Sequence, residues 1–180
     1  VLPISPDFVE ALKTCQQKGI LLIIDEVQTG IGRTGKLFAF EHFDFEPDIF
    51  TLAKALANGI PTGAMLAKNK YASYFSVGKH GSTFGGNPLA MASANEVLKE
   101  IDSDFLEKVT DKGNFFLKLL TEKLSVKATV KSIRGLGLMI GIQLTNEKKV
   151  PEVLALLRKN GLLALSAGHE VIRLLPPLVM

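Results

Sequence analysis

The alternation of apolar and polar positions divides the chain into helix-sized and strand-sized pieces. Ser5-Pro6-Asp7 carries the marks of a helix start, with a hydroxyl N-cap, proline at the first helical position and an acid at the positive end of the dipole. Phe8, Val9, Leu12 and Cys15 follow at helical spacing, and Gly19 supplies the stop. The next unit, Ile20 to Ile24, is uninterruptedly apolar and predicts a strand buried on both faces. Further short strands are predicted at Ile49–Leu52 and at Gly63–Ala67, after the turn residues Asn58, Gly59 and Pro61. Asn87-Pro88 then opens a helix through Ile101 that is rich in small residues. Helix, short turn and buried strand in this order predict an α/β class with a sheet covered by helices.

From Asp102-Ser103-Asp104 the texture changes. A long amphipathic helix carries Phe105, Leu106, Val109, Phe115, Phe116, Leu119, Leu120 and Leu124. A glycine-interrupted strand or strand pair follows from Val130 to Leu144, then a helix from Val150 to Lys159 stopped by Gly161, and short strands at 162–164 and 171–174. This last third reads as a small α+β unit, with a boundary between residues 103 and 104. Both ends are apolar, Val1-Leu2-Pro3-Ile4 and Leu174 through Met180, which leads to the expectation of a segment of a longer protein.

Composition narrows the classes. In 180 residues, 47% are hydrophobic, enough for one sizeable domain with an appendage. The net charge of +3 comes from 21 basic and 18 acidic residues scattered without a basic stripe, so nucleic acid is not an expected partner. No apolar stretch approaches the roughly 20 residues that cross a bilayer, and no membrane partner is expected. The single cysteine, Cys15, excludes an intrachain disulfide and a cysteine-cluster metal site, so no metal is expected and a reducing, cytoplasmic setting is favoured.

The chemistry concentrates after the first apolar run. Asp25 ends it, and a carboxylate there needs solvent or a partner. Lys54 follows the second run, and two neighbouring strands would bring an acid and an amine to one end of a sheet. Taken alone, the two residues read more simply as structural, Asp25 as a helix cap or surface ion pair and Lys54 as a solvated lysine. Between them, Gly30 to Gly35 spells the G-x-G-x-x-G pattern, and Gly30 to Lys36 spells most of a P-loop. Both matches fail on mechanism: Leu37 stands where a P-loop needs Ser or Thr for Mg²⁺, and no helical period opens directly from the strand.

The segments Asp25-Glu26-Val27-Gln28-Thr29-Gly30, Gly32-Arg33-Thr34-Gly35, Pro47-Asp48-Ile49, Thr51-Leu52-Ala53-Lys54 and His80-Gly81-Ser82-Thr83-Phe84-Gly85-Gly86-Asn87-Pro88 stand in one order along the chain. Together they resemble the class III pyridoxal-phosphate aminotransferases, and the resemblance covers essentially the whole sequence. It implies a type I pyridoxal-phosphate-dependent transferase fold, with residues 1–103 as the C-terminal part of the large cofactor-binding domain and 104–180 as an incomplete small domain. In the family, the lysine matching Lys54 bonds the cofactor covalently. The aspartate matching Asp25 pairs with the pyridine nitrogen, the valine matching Val27 packs on the ring, and the glutamine matching Gln28 approaches the phenolic oxygen. The residues matching Ser82 and Thr83 serve the cofactor phosphate, Thr83's counterpart that of a neighbouring subunit. The arginine matching Arg173 binds a substrate carboxylate.

The resemblance further implies a homodimer with shared active sites. It implies amino transfer from N-acetylornithine to 2-oxoglutarate in arginine biosynthesis, with ornithine, succinylornithine, 4-aminobutyrate or another ω-amine as competing donors. A catalytically inactive binding or assembly module on the same fold is the competing class of function. The sequence lacks the family's N-terminal glycine loop and stops inside the last small-domain segment, so these 180 residues alone are expected neither to bind the cofactor tightly nor to turn over.

Overall fold

The computed structural model describes residues 1–180, which form two compact units. One comprises Ile4–Gly32 and Lys36–Leu106; the other comprises Val1–Pro3, Arg33–Gly35 and Glu107–Met180.

In the first unit, α1 spans Pro6–Gln17, and the Ser5 hydroxyl accepts the Phe8 N–H at 3.3 Å as its N-cap. Gly19, at φ 78°, takes the left-handed turn that ends it. A three-stranded sheet follows, β1 (Ile23–Asp25), β2 (Ile49–Leu52) and β3 (Ala64–Ala67), in that spatial order. β1 and β2 are parallel with Ile23 opposite Ile49 and Asp25 opposite Thr51; β3 is antiparallel to β2. The sheet is therefore mixed. A helix, α2 (Pro88–Glu100), is capped by the Asn87 side chain, which accepts the Ala90 N–H at 2.9 Å. The core gathers Ile31, Leu52, Leu56, Ala57 and Ala94, with Phe38, Phe50 and Val97 packed against them.

The apolar run before Asp25 behaves differently from the two-face burial expected of it. Ile20 and Ile23 are each 56% exposed, and the regular strand starts only at Ile23. The cause is position: β1 is an edge strand with β2 as its one neighbour, so only part of its apolar surface meets other side chains.

The entry to β1 is fixed by Asp48, which is 2% exposed. Its Oδ2 accepts the Leu22 N–H at 3.0 Å and the Gln16 amide at 3.1 Å, and Lys70 Nζ lies 3.1 Å from Oδ1. Burial alone would raise this carboxyl above its ordinary 3.8, but the Leu22 N–H, the Gln16 amide and the Lys70 ammonium outweigh it and hold the group at about 2.

The second unit is a two-layer α+β arrangement. Four antiparallel strands stand in the order β4-β5-β7-β6, comprising β4 (Val130–Leu136), β5 (Met139–Leu144), β6 (Leu165–Ser166) and β7 (Val171–Leu174). Thus the glycine-interrupted segment is a hairpin, turning at Gly137 with φ 50°. The helices α3 (Ser103–Leu124), which lies in this unit from Glu107 onward, and α4 (Lys149–Lys159) cover it, placing Leu120, Leu124, Val153 and Leu157 against Ile142, Leu144 and Ile172. No helix is long and apolar enough to cross a membrane.

Within this unit α3 passes so close to the hairpin turn that Gly113 has no room for a side chain. A Cβ there would sit 2.7 Å from Gly137 Cα. Ordinarily, alanine favours a helix interior over glycine by about 1 kcal/mol. Here the collision is with backbone, and overpacking of this kind costs about 1–3 kcal/mol. Gly113→Ala is expected to lower the unfolding free energy of the full-length protein in urea despite its better helix propensity.

A second outcome concerns acid. The folded-state value of Asp48 lies below its ordinary one, so the folded protein binds fewer protons there. The stabilisation is complete above about pH 4 and is lost as the pH falls towards 2. Urea unfolding measured across that window is expected to show this dependence in the wild type and to show it weakened in Asp48→Asn, whose stability is lower at pH 7.

Candidate active site

The parallel pairing of β1 and β2 sends both strands out at the same edge of the sheet, the end where α/β sheets present their chemistry. Asp25 is the last residue of β1 and is exposed. Its Oδ1 accepts the Val27 N–H at 2.9 Å and the Thr51 hydroxyl at 3.3 Å. Both bonds use one oxygen, so the carboxylate is oriented while the other oxygen can still accept. Thr51, an orienting partner that the linear pattern did not single out, stands opposite Asp25 in the strand register.

Beyond β2 the chain turns sharply. Ala53 is extended, and Lys54 begins a single 3₁₀ turn, Lys54–Ala57, with its own φ at 47°. A lysine in the left-handed region costs about 1–2 kcal/mol, and it persists only where neighbouring structure imposes it. That structure is visible: Leu56 and Ala57 are buried in the core, and the Ser93 hydroxyl of α2 donates to the Ala57 carbonyl at 2.9 Å. Lys54 itself remains exposed. A buried Ile31, also left-handed at φ 58°, packs in the same core beside Leu52 and Leu56.

The turn after Asp25 carries Val27 and Gln28, both half-buried. Its closing bond runs from the Gly30 N–H to the Glu26 carbonyl at 2.9 Å. Gly30 is required there because a Cβ would lie 2.9 Å from that carbonyl oxygen. Glu26, beside Asp25, is 1% exposed and accepts the Thr29 hydroxyl and the Phe40 N–H, the latter at 3.0 Å. The signal for Glu26 was present in the sequence: side chains alternate along a strand, so two adjacent acids at its end point to opposite faces. The glycine-rich loop continues through Gly32 and Gly35, both with positive φ, towards a 3₁₀ turn at Ala39–His42.

Ser82 and Thr83 lie in an exposed loop four or more residues before the capped start of α2. Asp25, Val27, Gln28, Lys54, Ser82 and Thr83 thus all belong to the first unit. Arg173 belongs to the second, on β7 opposite Gly141 and Leu165. There it lines a cleft of about 310 Å³ with Leu154, Arg158, Leu162 to Leu165 and Leu175.

Comparison with known proteins agrees with this architecture. Over all 180 residues the chain is 96% identical to an acetylornithine aminotransferase of Lactococcus lactis subsp. lactis, covering 48% of that protein. It is 54% identical to an acetylornithine aminotransferase of Streptococcus mutans, again covering 48%. Among solved structures, ornithine δ-aminotransferase of Plasmodium falciparum superposes with a TM-score of 0.90 at 37% identity, over 100% of this chain and 47% of that one. Acetylornithine aminotransferase of Elizabethkingia anophelis gives 0.86 at 36%, over 98% and 45%. The chain spans about half the length of the curated relatives it matches. Its α/β architecture with a mixed sheet is that of the type I pyridoxal-phosphate-dependent transferases. With the aminotransferase class-III model matching residues 1–180 from end to end, the chain belongs to the class-III aminotransferases.

Proposed function

We propose that this chain is the part of a pyridoxal-phosphate-dependent transaminase that carries its central lysine, in a protein that transfers an amino group from N-acetylornithine, or a related ω-amine, to 2-oxoglutarate in arginine biosynthesis. The observation that carries the reading is the exit of β1 and β2 at one sheet edge, with an oriented, exposed carboxylate on one strand and an exposed lysine held in a strained turn after the other. A buried core needs neither group. The choice of donor is supported by the names of the most similar relatives.

The residues present fit the cofactor. Asp25, fixed through Oδ1, would offer Oδ2 to the ring nitrogen, and Val27 and Gln28 on the following turn would meet the ring face and the phenolic oxygen. Lys54 Nζ would supply the covalent link. Ser82 and Thr83 offer hydroxyls to a phosphate, next to a glycine-rich approach to a helix N-terminus, where unpaired N–H groups favour anions. When bound, pyridoxal phosphate supplies an electron sink, and a carboxylate that keeps the ring nitrogen protonated deepens it. With the cofactor bound, Lys54 Nζ would be the group placed to hold and move a proton at the carbon bearing the transferred nitrogen. Arg173, with its planar fork, suits a substrate carboxylate.

In this reading residues 1–103 belong to the large cofactor-binding domain and 104–180 to the small domain. By the family resemblance Thr83 serves a neighbouring subunit's cofactor phosphate, which makes the protein a homodimer. The protein works in the cytoplasm.

Spectroscopy of the full-length protein tests the assignment. Addition of pyridoxal phosphate is expected to give the visible absorption of the lysine-bound cofactor, and Lys54→Ala is expected to abolish it; an unchanged spectrum in that variant would remove Lys54 from its role. Asp25→Ala is expected to slow turnover of N-acetylornithine with 2-oxoglutarate by at least a hundredfold, since a charge-assisted contact of about 1.5–3 kcal/mol is lost and the sink weakens as well. An amine-donor panel scored with 2-oxoglutarate identifies the donor.

A further inference from the structure

Glu26 is a buried carboxyl held by a hydroxyl and a backbone N–H, whereas Asp48 has the Lys70 ammonium beside it. It lies between the oriented Asp25 and the half-buried pair Val27 and Gln28. Its connections leave in four directions. The Glu26 N–H continues the strand ladder to the Thr51 carbonyl at 3.0 Å, and its carbonyl accepts the Gly30 N–H. The side chain accepts the Thr29 hydroxyl on Oε2 and the Phe40 N–H on Oε1. The Phe40 ring stacks on Phe38 with centroids 5.5 Å apart and meets Phe50 of β2 edge-on at 5.3 Å.

We infer that Glu26 is a positioning residue for the cofactor contacts: its carboxylate clasps the Val27-Gln28-Thr29 turn from the buried side and ties it, through Phe40, to the strand that leads to Lys54. This rests on the cofactor reading above and extends it to a residue that touches neither cofactor nor substrate. The chemistry favours a carboxylate because two donors, one O–H and one N–H, converge where only an acceptor-only group satisfies both without presenting a donor of its own. Removing either partner leaves a buried polar atom unsatisfied and frees the turn. Asp25 is affected through the backbone, since the Val27 N–H that orients it belongs to the clasped turn.

The test uses the full-length protein. In Thr29→Val and in Glu26→Ala, the dissociation constant for pyridoxal phosphate is expected to rise about tenfold, the equivalent of one buried hydrogen bond. The visible circular dichroism of the lysine-bound cofactor is expected to change sign or amplitude. In the apoprotein, hydrogen exchange at the Phe40 and Gly30 amides is expected to quicken while the remaining amides keep their protection. Thr29→Ser, which keeps the hydroxyl, is expected to restore all three. Wild-type affinity, dichroism and exchange in Thr29→Val would overturn the inference, as would a loss that Thr29→Ser fails to rescue and that spreads over all amides. Should Glu26→Ala not fold, Thr29→Val and Thr29→Ser decide the question between them. If the wild-type protein forms no lysine-bound cofactor at all, the cofactor reading has failed and the role of Glu26 falls with it; a normal wild-type spectrum with an indifferent Thr29→Val overturns only the latter.

Discussion

The pairing of β1 with β2 is the constraint on which the rest of the first unit depends. Parallel strands leave a sheet at the same edge, so a carboxylate that ends one and a lysine that follows the other share a neighbourhood without any direct bond between them. The register makes this specific: Asp25 stands opposite Thr51, whose hydroxyl helps to orient it. A slip by one residue would turn every side chain of the strand to the other face, exchanging the exposed Asp25 with the buried Glu26.

That register is guarded at both ends by buried acids. At the entry, Asp48 receives the Leu22 N–H, while the Leu22 carbonyl accepts the N–H groups of Asp48 and Ile49. At the exit, Glu26 continues the ladder to Thr51 and anchors the turn. A carboxylate is an expensive group to bury, and its cost is offset only when hydrogen bonds reach it in good geometry. The same expense makes slipped arrangements worse, since each would strand an unpaired charge in the interior. The two short strands, of three and four residues, are flanked by these two acids.

Much of this was legible in the residues. The caps at Ser5 and Asn87, the stop at Gly19 and the strand at Ile49–Leu52 follow from local chemistry, and they stand where that chemistry puts them. The glycine-rich loop after Asp25 opens no α-helix from the strand, as its lack of helical period indicates. What local pattern does not carry is pairing. Thr51 became an orienting partner for Asp25 only once the register was known, and the distinction between Asp25 and Glu26 needed the sheet to say which face is covered. The apolar run Ile20 to Ile24 reads as a central strand, yet here it has a neighbour on one side only. The composition of a strand records the environment it suits, and half of the length of the matching relatives lies beyond these residues.

Three residues other than glycine hold left-handed backbone: Ile31, within the small core, and Lys54 and Asn58, on either side of its Leu56 and Ala57. Their tolerance for that conformation differs. Asparagine adopts it readily, whereas a β-branched isoleucine is a genuine outlier. At Asn58 the strain is a matter of turn economy and glycine would relieve it; at Lys54 relief by glycine would delete the amine. The turn can therefore be relaxed at its end at the loss of an amide, whereas relaxing its beginning removes the cation that follows β2.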